Sequence, residues 1–172
     1  MTTLYASTVD TPIGPFSLLI DADGSVVASG WTPDVDALNA LVHPSLRGEV
    51  TTRRDLGAAS RAAQAYHDGD LGAPDAIPVR QHSSGLFLPG AWDALRKVPP
   101  GEPVSYTAFA ALAGRPAAAR AAAQACARNA AALFVPCHRV IREDGSLGGF
   151  RWGLPAKRWL LTHETDSASI MN

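Results

Sequence analysis

Cys137 stands beside His138 in Val135-Pro-Cys-His-Arg-Val140, where a soft nucleophile adjoins an imidazole. A thiol attacks as its thiolate, and an imidazole held by a carboxylate can take the proton directly or through a water. The apolar run Leu133-Phe-Val135 reads as a short buried strand, and Pro136 prevents its regular continuation, so the thiol is presented at a bend. Consecutive side chains rarely point the same way, so Cys137 and His138 would communicate through a water or a turn of backbone. The pair alone leaves three readings open: a buried structural cysteine, a nucleophile or a metal ligand. Cys126 is the only other cysteine, so a disulfide framework is excluded, and the absence of C-x-x-C spacing argues against a metal cluster.

The elements around this thiol read as helical. From Phe87 onward Trp92, Leu95 and Val98 form one apolar face, ended by Pro99-Pro-Gly101. Ser105 caps a helix over Tyr106–Leu112 that stops at Gly114-Arg-Pro116, and Pro116 is placed to open a third helix running to Ala127. Two short helices joined by a glycine-containing turn suggest a helix-turn-helix, although an alanine-rich third helix equally fits a tightly packed core. It lacks the long polar side chains that read base edges in the major groove. It could instead lie along the minor groove, with Arg120 as its long cation. Asp144-Gly145 reads as a hairpin turn, and Cys126, inside the alanine-rich helix, as structural.

The first third reads as strands at Leu4–Val9, Phe16–Ile20 and Ser25–Gly30, arranged as a small antiparallel meander. Helices at Asp34–Val42 and Leu56–Asp68 follow, then a Gly/Pro/Asp linker from Gly69 to Pro78. This half holds no chemical constellation. Its residues 1–80 carry five arginines against ten carboxylates, whereas residues 81–164 carry ten basic groups against five acidic ones, so the net charge of −1 conceals a basic second half. That half suits salt-sensitive phosphate contact, and equally an uneven scatter of surface charge. With 172 residues and 47% hydrophobic content, one ordinary or two small domains are expected. No run approaches the roughly 20 apolar residues of a membrane helix, and no leader pattern opens the sequence, so a cytoplasmic location without membrane contact is expected.

Val135-Pro-Cys-His-Arg-Val140 resembles the active-site signature of the O6-alkylguanine-DNA alkyltransferases. Pro99-Pro-Gly-Glu-Pro-Val-Ser-Tyr106, Ala110-Ala-Leu-Ala-Gly114, Ala117-Ala-Ala-Arg120, Asn129, Gly145-Ser-Leu-Gly-Gly-Phe150 and Lys157-Arg-Trp-Leu-Leu161 with Glu164 also stand where that family has equivalents. Thr11-Pro-Ile-Gly-Pro15 resembles the start of its N-terminal domain. The resemblance implies an α/β (α+β) protein: a ribonuclease H-like domain over 1–80 and a winged helix-turn-helix domain over 81–164; the Ser/Thr/Asp content of 165–172 reads as a flexible tail. It implies irreversible, stoichiometric transfer of an alkyl group from O6 of guanine in duplex DNA to Cys137, with O4 of thymine as a further candidate substrate. Minor-groove binding as a monomer, without metal or other cofactor, is implied as well.

Carried over position by position, Cys137 is the acceptor, and His138 with Glu164 is its activating relay, a water lying between thiol and imidazole. Tyr106 assists extrusion of the nucleotide and protonates the departing guanine. Arg120 fills the gap in the base stack, and Asn129 ties the active-site turn to the helix-turn-helix. Ala119, Arg128 and Arg139 are expected on the DNA surface, and Val140, Gly148, Gly149, Phe150 and Arg151 around the flipped base. His43, His67, His82 and His163 fall outside the motif. Phe150 replaces a tyrosine of many relatives, while Ala130 and Ala132 stand where some members have proline; these departures bear on pocket size. Rival readings are a lesion binder without transfer activity, whose relatives replace the cysteine, a winged-helix regulator reading DNA sequence, and a cysteine hydrolase.

Overall fold

The computed structural model describes residues 2–171, and the chain forms two compact units. The first comprises residues up to His82 together with Ala130–Phe134; the second comprises Ser83–Asn129 and the residues from Val135 onward. The sequence division at 80/81 thus falls two residues early, and it misses the five-residue segment that returns to the first unit.

In the first unit β1 (Thr3–Thr11) pairs antiparallel with β2 (Gly14–Ile20), which pairs antiparallel with β3 (Val26–Gly30). This is the expected meander. Gly14 closes the β1–β2 turn at a φ of +109°, a conformation open to glycine, while Thr11 Oγ1 accepts the Ile13 N–H and donates to the Gly14 carbonyl. Helix α1 (Val35–Leu41) is capped by Asp34, whose Oδ1 accepts the Ala37 N–H at 3.1 Å. A strand that periodicity did not suggest, β4 (Glu49–Thr52), then adds parallel to β1 and completes the order β3-β2-β1-β4. Helix α2 (Ala58–His67) contributes Ala63 and Tyr66 to a core shared with Leu4, Phe16, Leu18 and Leu38.

Ala130–Phe134 completes this unit. The Ala132 N–H donates to the Ser29 carbonyl, the Ser29 hydroxyl returns to the Ala132 carbonyl at 2.6 Å, and Phe134 lies 6.4 Å from Phe16 between ring centroids. The buried strand expected over Leu133–Val135 is not formed: Leu133 takes a φ of +76° in a turn, which breaks the extended backbone while its side chain stays buried.

The second unit contains α3 (Phe87–Leu95), β5 (Val104–Ser105), α4 (Tyr106–Leu112), α5 (Ala119–Ala127), β6 (Val140–Ile141) and α6 (Leu154–Met171). Trp92, Leu95 and Val98 are buried together as their spacing indicates, and Ser105 Oγ caps α4 at the Ala108 N–H. Helix α5 begins three residues after the expected Pro116, because Arg115–Ala118 forms a turn closed by the Ala118 N–H on the Arg115 carbonyl. Asp144-Gly145 does form a turn, yet the pairing beside it is the two-residue parallel ladder of β5 and β6 and not a hairpin. Over the expected tail from Thr165, α6 stays helical through Met171, and Asn172 lies outside the described residues. Among the described residues no helix is long and apolar enough to cross a membrane.

Candidate active site

The thiol sits on a single 3-10 turn. Pro136 precedes that turn, and Cys137–Arg139 form it, with the Arg139 N–H donating to the Pro136 carbonyl at 3.0 Å. A tight turn sends successive side chains in different directions, so His138 is fully buried while Cys137 is partly exposed to a cleft. Asn129, at the end of α5, anchors the turn from behind: its Nδ2 donates to the Val135 carbonyl at 2.8 Å, and its side chain also bonds the Cys137 thiol.

Helix α6 supplies the carboxylate. Lys157, Leu160 and Glu164 follow i, i+3, i+7 spacing and form one fully buried stripe. Glu164 Oε2 lies 2.7 Å from His138 Nε2. A carboxylate oxygen can only accept here, so Nε2 carries the hydrogen and Nδ1 keeps its lone pair. Nδ1 is buried without a protein hydrogen-bond partner. Arg139 grips the same carboxylate from Nε at 2.9 Å and from Nη2 at 2.9 Å, and its Nη1 donates to the Val98 carbonyl at 2.7 Å. The expectation that Arg139 faces DNA is therefore corrected, since its guanidinium is buried and engaged on both sides.

Lys157 carries no role in the sequence reading, yet it is fully buried, and its ammonium donates to the carbonyls of Val140 at 2.7 Å and Gly149 at 3.3 Å. The stripe it shares with Leu160 and Glu164 is the signal that could have revealed it. It joins β6 to the loop forming one wall of the cleft.

That cleft has a volume of about 380 Å³ and is lined by the anticipated Tyr106, Asn129, Cys137, Gly149, Phe150 and Arg151. Ala123, Cys126, Ala127 and Trp152 line it as well, so Cys126 faces the cleft instead of a closed core. Gly148, at a φ of +72°, packs against the Tyr106 ring; Val140 lies fully buried behind the lining, its carbonyl held by Lys157. Ala119 and Arg120 open α5 and Arg128 follows its end, none of them lining the cleft, and both arginines are exposed. Arg151 is also exposed, and its Nη2 donates to the Ala127 carbonyl at 2.5 Å. Of the histidines outside the motif, His67 is a packing residue fixed between the Trp31 indole N–H and the Ala63 carbonyl, and His43 and His82 meet Ser45 at the surface.

Burial governs the site's ionisation. It raises the Cys137 thiol, an effect reduced by the Asn129 hydrogen bond and by the charges of Lys157 and Arg151. Burial also holds His138 below the usual histidine range, outweighing Glu164. Glu164 is itself pushed upward by burial, but His138 and Arg139 more than compensate and leave it well below the usual carboxylate range. At rest the site therefore combines a protonated thiol, a neutral imidazole and a carboxylate. Tyr106 is raised by burial and then by the two cysteines, so its phenol keeps its proton.

Residues 87–166 match the family model described as 6-O-methylguanine DNA methyltransferase, DNA binding domain. Over 81 residues the chain is 49% identical to the bifunctional transcriptional activator/DNA repair enzyme Ada of Escherichia coli, a match covering 47% of this chain and 23% of Ada. The structure of Mycobacterium tuberculosis OGT in complex with DNA superposes with a TM-score of 0.78 at 30% identity, covering 95% of this chain and 94% of that one. The methylated-DNA--protein-cysteine methyltransferase of Salmonella typhimurium is 34% identical over 168 residues, covering 95% of this chain and 97% of its own length. With that likeness running nearly end to end through both proteins, the chain belongs to the methylated-DNA--protein-cysteine methyltransferase family.

Proposed function

We propose that this protein repairs alkylated DNA by moving the alkyl group from O6 of guanine onto Cys137, once per molecule. The observation that carries the reading is the placement of Cys137 in an open cleft, next to a buried imidazole whose other nitrogen is committed to Glu164 at 2.7 Å. The commitment of Nε2 leaves Nδ1 as the site that accepts the thiol proton, through a water in the relay we envisage. The thiolate sulfur then forms a bond to the alkyl carbon as the bond from carbon to O6 breaks, and the electron pair leaves with guanine. Tyr106, kept protonated by burial, delivers a proton to the departing base. The thioether has no easy route back to a thiol, so each molecule is spent.

The first unit is, in this proposal, a ribonuclease H-like support and the second a winged helix-turn-helix that approaches the minor groove as a monomer. O6 lies inside the duplex stack, so the nucleotide must rotate out at a cost of a few kcal/mol. Arg120, exposed at the opening of α5, offsets part of that by occupying the space left behind, with Ala119 allowing close backbone approach and Arg128 meeting phosphate. Backbone groups of Val140 and the Gly148–Arg151 loop hold the flipped base. Asn129 keeps the turn bearing the thiol fixed to the end of α5.

Intact mass measured after incubation with duplex DNA carrying one O6-methylguanine tests this. One methyl per protein, mapped to Cys137 and absent in Cys137→Ser, is the expected result; an unchanged mass despite lesion-selective binding would leave a lesion binder without transfer activity.

A further inference from the structure

The transfer chemistry uses one thiol, yet the cleft is lined by two. Cys126 lies in the last turn of α5 and Cys137 on the 3-10 turn, both partly exposed to the same cleft, and the charge of Cys137 is felt at Cys126. We propose that Cys126 is a resolving thiol: when a hydroperoxide oxidises Cys137 to a sulfenic acid, Cys126 captures it as an intramolecular disulfide within the cleft. The acceptor is then set aside in a form that a dithiol reductant restores.

The two steps balance. The Cys137 thiolate attacks the terminal peroxide oxygen, the O–O bond breaks, sulfur is oxidised to sulfenic acid and the peroxide is reduced to water or an alcohol. The Cys126 sulfur then attacks the Cys137 sulfur, the S–S bond forms, the S–O bond breaks, and hydroxide departs with the Cys126 proton as water. Two thiols and one hydrogen peroxide thus give one disulfide and two waters.

The surroundings assign the order of events. Asn129, Lys157 and Arg151 all favour the charged form of Cys137, whereas burial and then the Cys137 charge push Cys126 up, with Lys157 alone opposing them. Cys137 also adjoins His138, whose buried Nδ1 has no protein partner and can take the thiol proton, so oxidation is assigned to begin at Cys137 and Cys126 to follow as the capturing thiol. A cleft of about 380 Å³ readily admits a hydroperoxide. Without capture a sulfenic acid proceeds to sulfinic acid, which ordinary thiols do not reverse. For a protein that acts once, that loss would be total; this consequence rests on the transfer reading above, whereas the capture step needs only the two thiols.

The test oxidises the intact, DNA-free protein with hydrogen peroxide and follows mass. The expected product is a monomer lighter by about 2 Da, in which tryptic peptides 121–128 and 129–139 are joined and dithiothreitol separates them. Stepwise oxygen addition at Cys137 with Cys126 still free overturns the proposal, as does a disulfide between two molecules. Bridging requires the Cα atoms to come within about 7 Å, so the joined peptides themselves establish the approach. Under the same oxidant, Cys126→Ser and Cys126→Ala should accumulate irreversible Cys137 oxides about tenfold faster than the parent protein; equal accumulation counts against capture. The mass readout involves no DNA, so a failure of alkyl transfer would be seen separately.

Discussion

Glu164 divides one buried carboxylate between a guanidinium and an imidazole, and this sharing couples the reactive turn to α6. Removing its charge in Glu164→Gln leaves Arg139 buried without a counter-ion, which should lower the urea unfolding free energy by about 3–5 kcal/mol. The pH dependence has a definite sign. Glu164 is held below the unfolded carboxylate value of about 4.3, so its stabilisation is present above that pH and is lost as acid protonates it. His138 is also lowered on folding, so it acts in the same direction from about pH 6.5 downward. The urea midpoint of the parent protein should fall steadily below neutrality, and Glu164→Gln should remove the part below about pH 4.3. Cys137 supplies a second prediction. Its thiol is raised by burial, so alkylation by iodoacetamide should keep accelerating past the free-cysteine value of about 8.5 and not level off there.

At the scale of elements, the loop after β6 is shaped against α4. Gly148 combines a φ of +72° with an open α-carbon against Tyr106, where an added Cβ would lie 2.9 Å from the phenol oxygen. Gly148→Ala should therefore cost about 1–2 kcal/mol in backbone strain and displace the Tyr106 ring, slowing transfer to O6-methylguanine DNA more than it lowers the thermal midpoint; unchanged transfer rates would mean the ring position is immaterial. The meander, the Ser105 cap and the buried Trp92, Leu95 and Val98 were legible in sequence because each rests on local period or cap chemistry. Strand β4 was not, since Glu49–Thr52 is a short, largely exposed edge whose partner, β1, lies more than forty residues away in sequence. Nor was Leu133, whose left-handed backbone no preference of leucine announces. Within the site, Cys137, His138 and Glu164 were singled out by motif, and His138 and Glu164 are hydrogen-bonded, whereas Arg139 was expected at the DNA surface and Lys157 was given no role, for one reason. A basic side chain reads as surface until the carboxylate or carbonyls that bury it are located.

Across the whole molecule charge is unevenly divided, the acidic excess lying in residues 1–80 and the basic excess in 81–164. If the basic side meets DNA, affinity for undamaged duplex should fall steeply with salt. Arg128, exposed just past α5, should account for one phosphate contact, so Arg128→Ala should reduce the slope of log K against log salt by about 0.9. Equilibrium titrations at several salt concentrations read this directly, and an unaltered slope would place the phosphate contact elsewhere. The methyl transferred at saturation should still be one per molecule.

The hydrogen bond from Ser29 to the Ala132 carbonyl spans 103 residues, and it bears on how the protein is made. Domains commonly fold as they emerge from the ribosome, N-terminal part first. Here the first unit is still incomplete when its own contiguous stretch has been translated, and it must wait for Ala130–Phe134, by which time much of the second unit has also been made. The thiol at position 137 follows almost at once, but Lys157 and Glu164 come later still. A nascent chain stalled between them would present its cysteine without the carboxylate that holds His138, so chemical competence arrives only once α6 has been made.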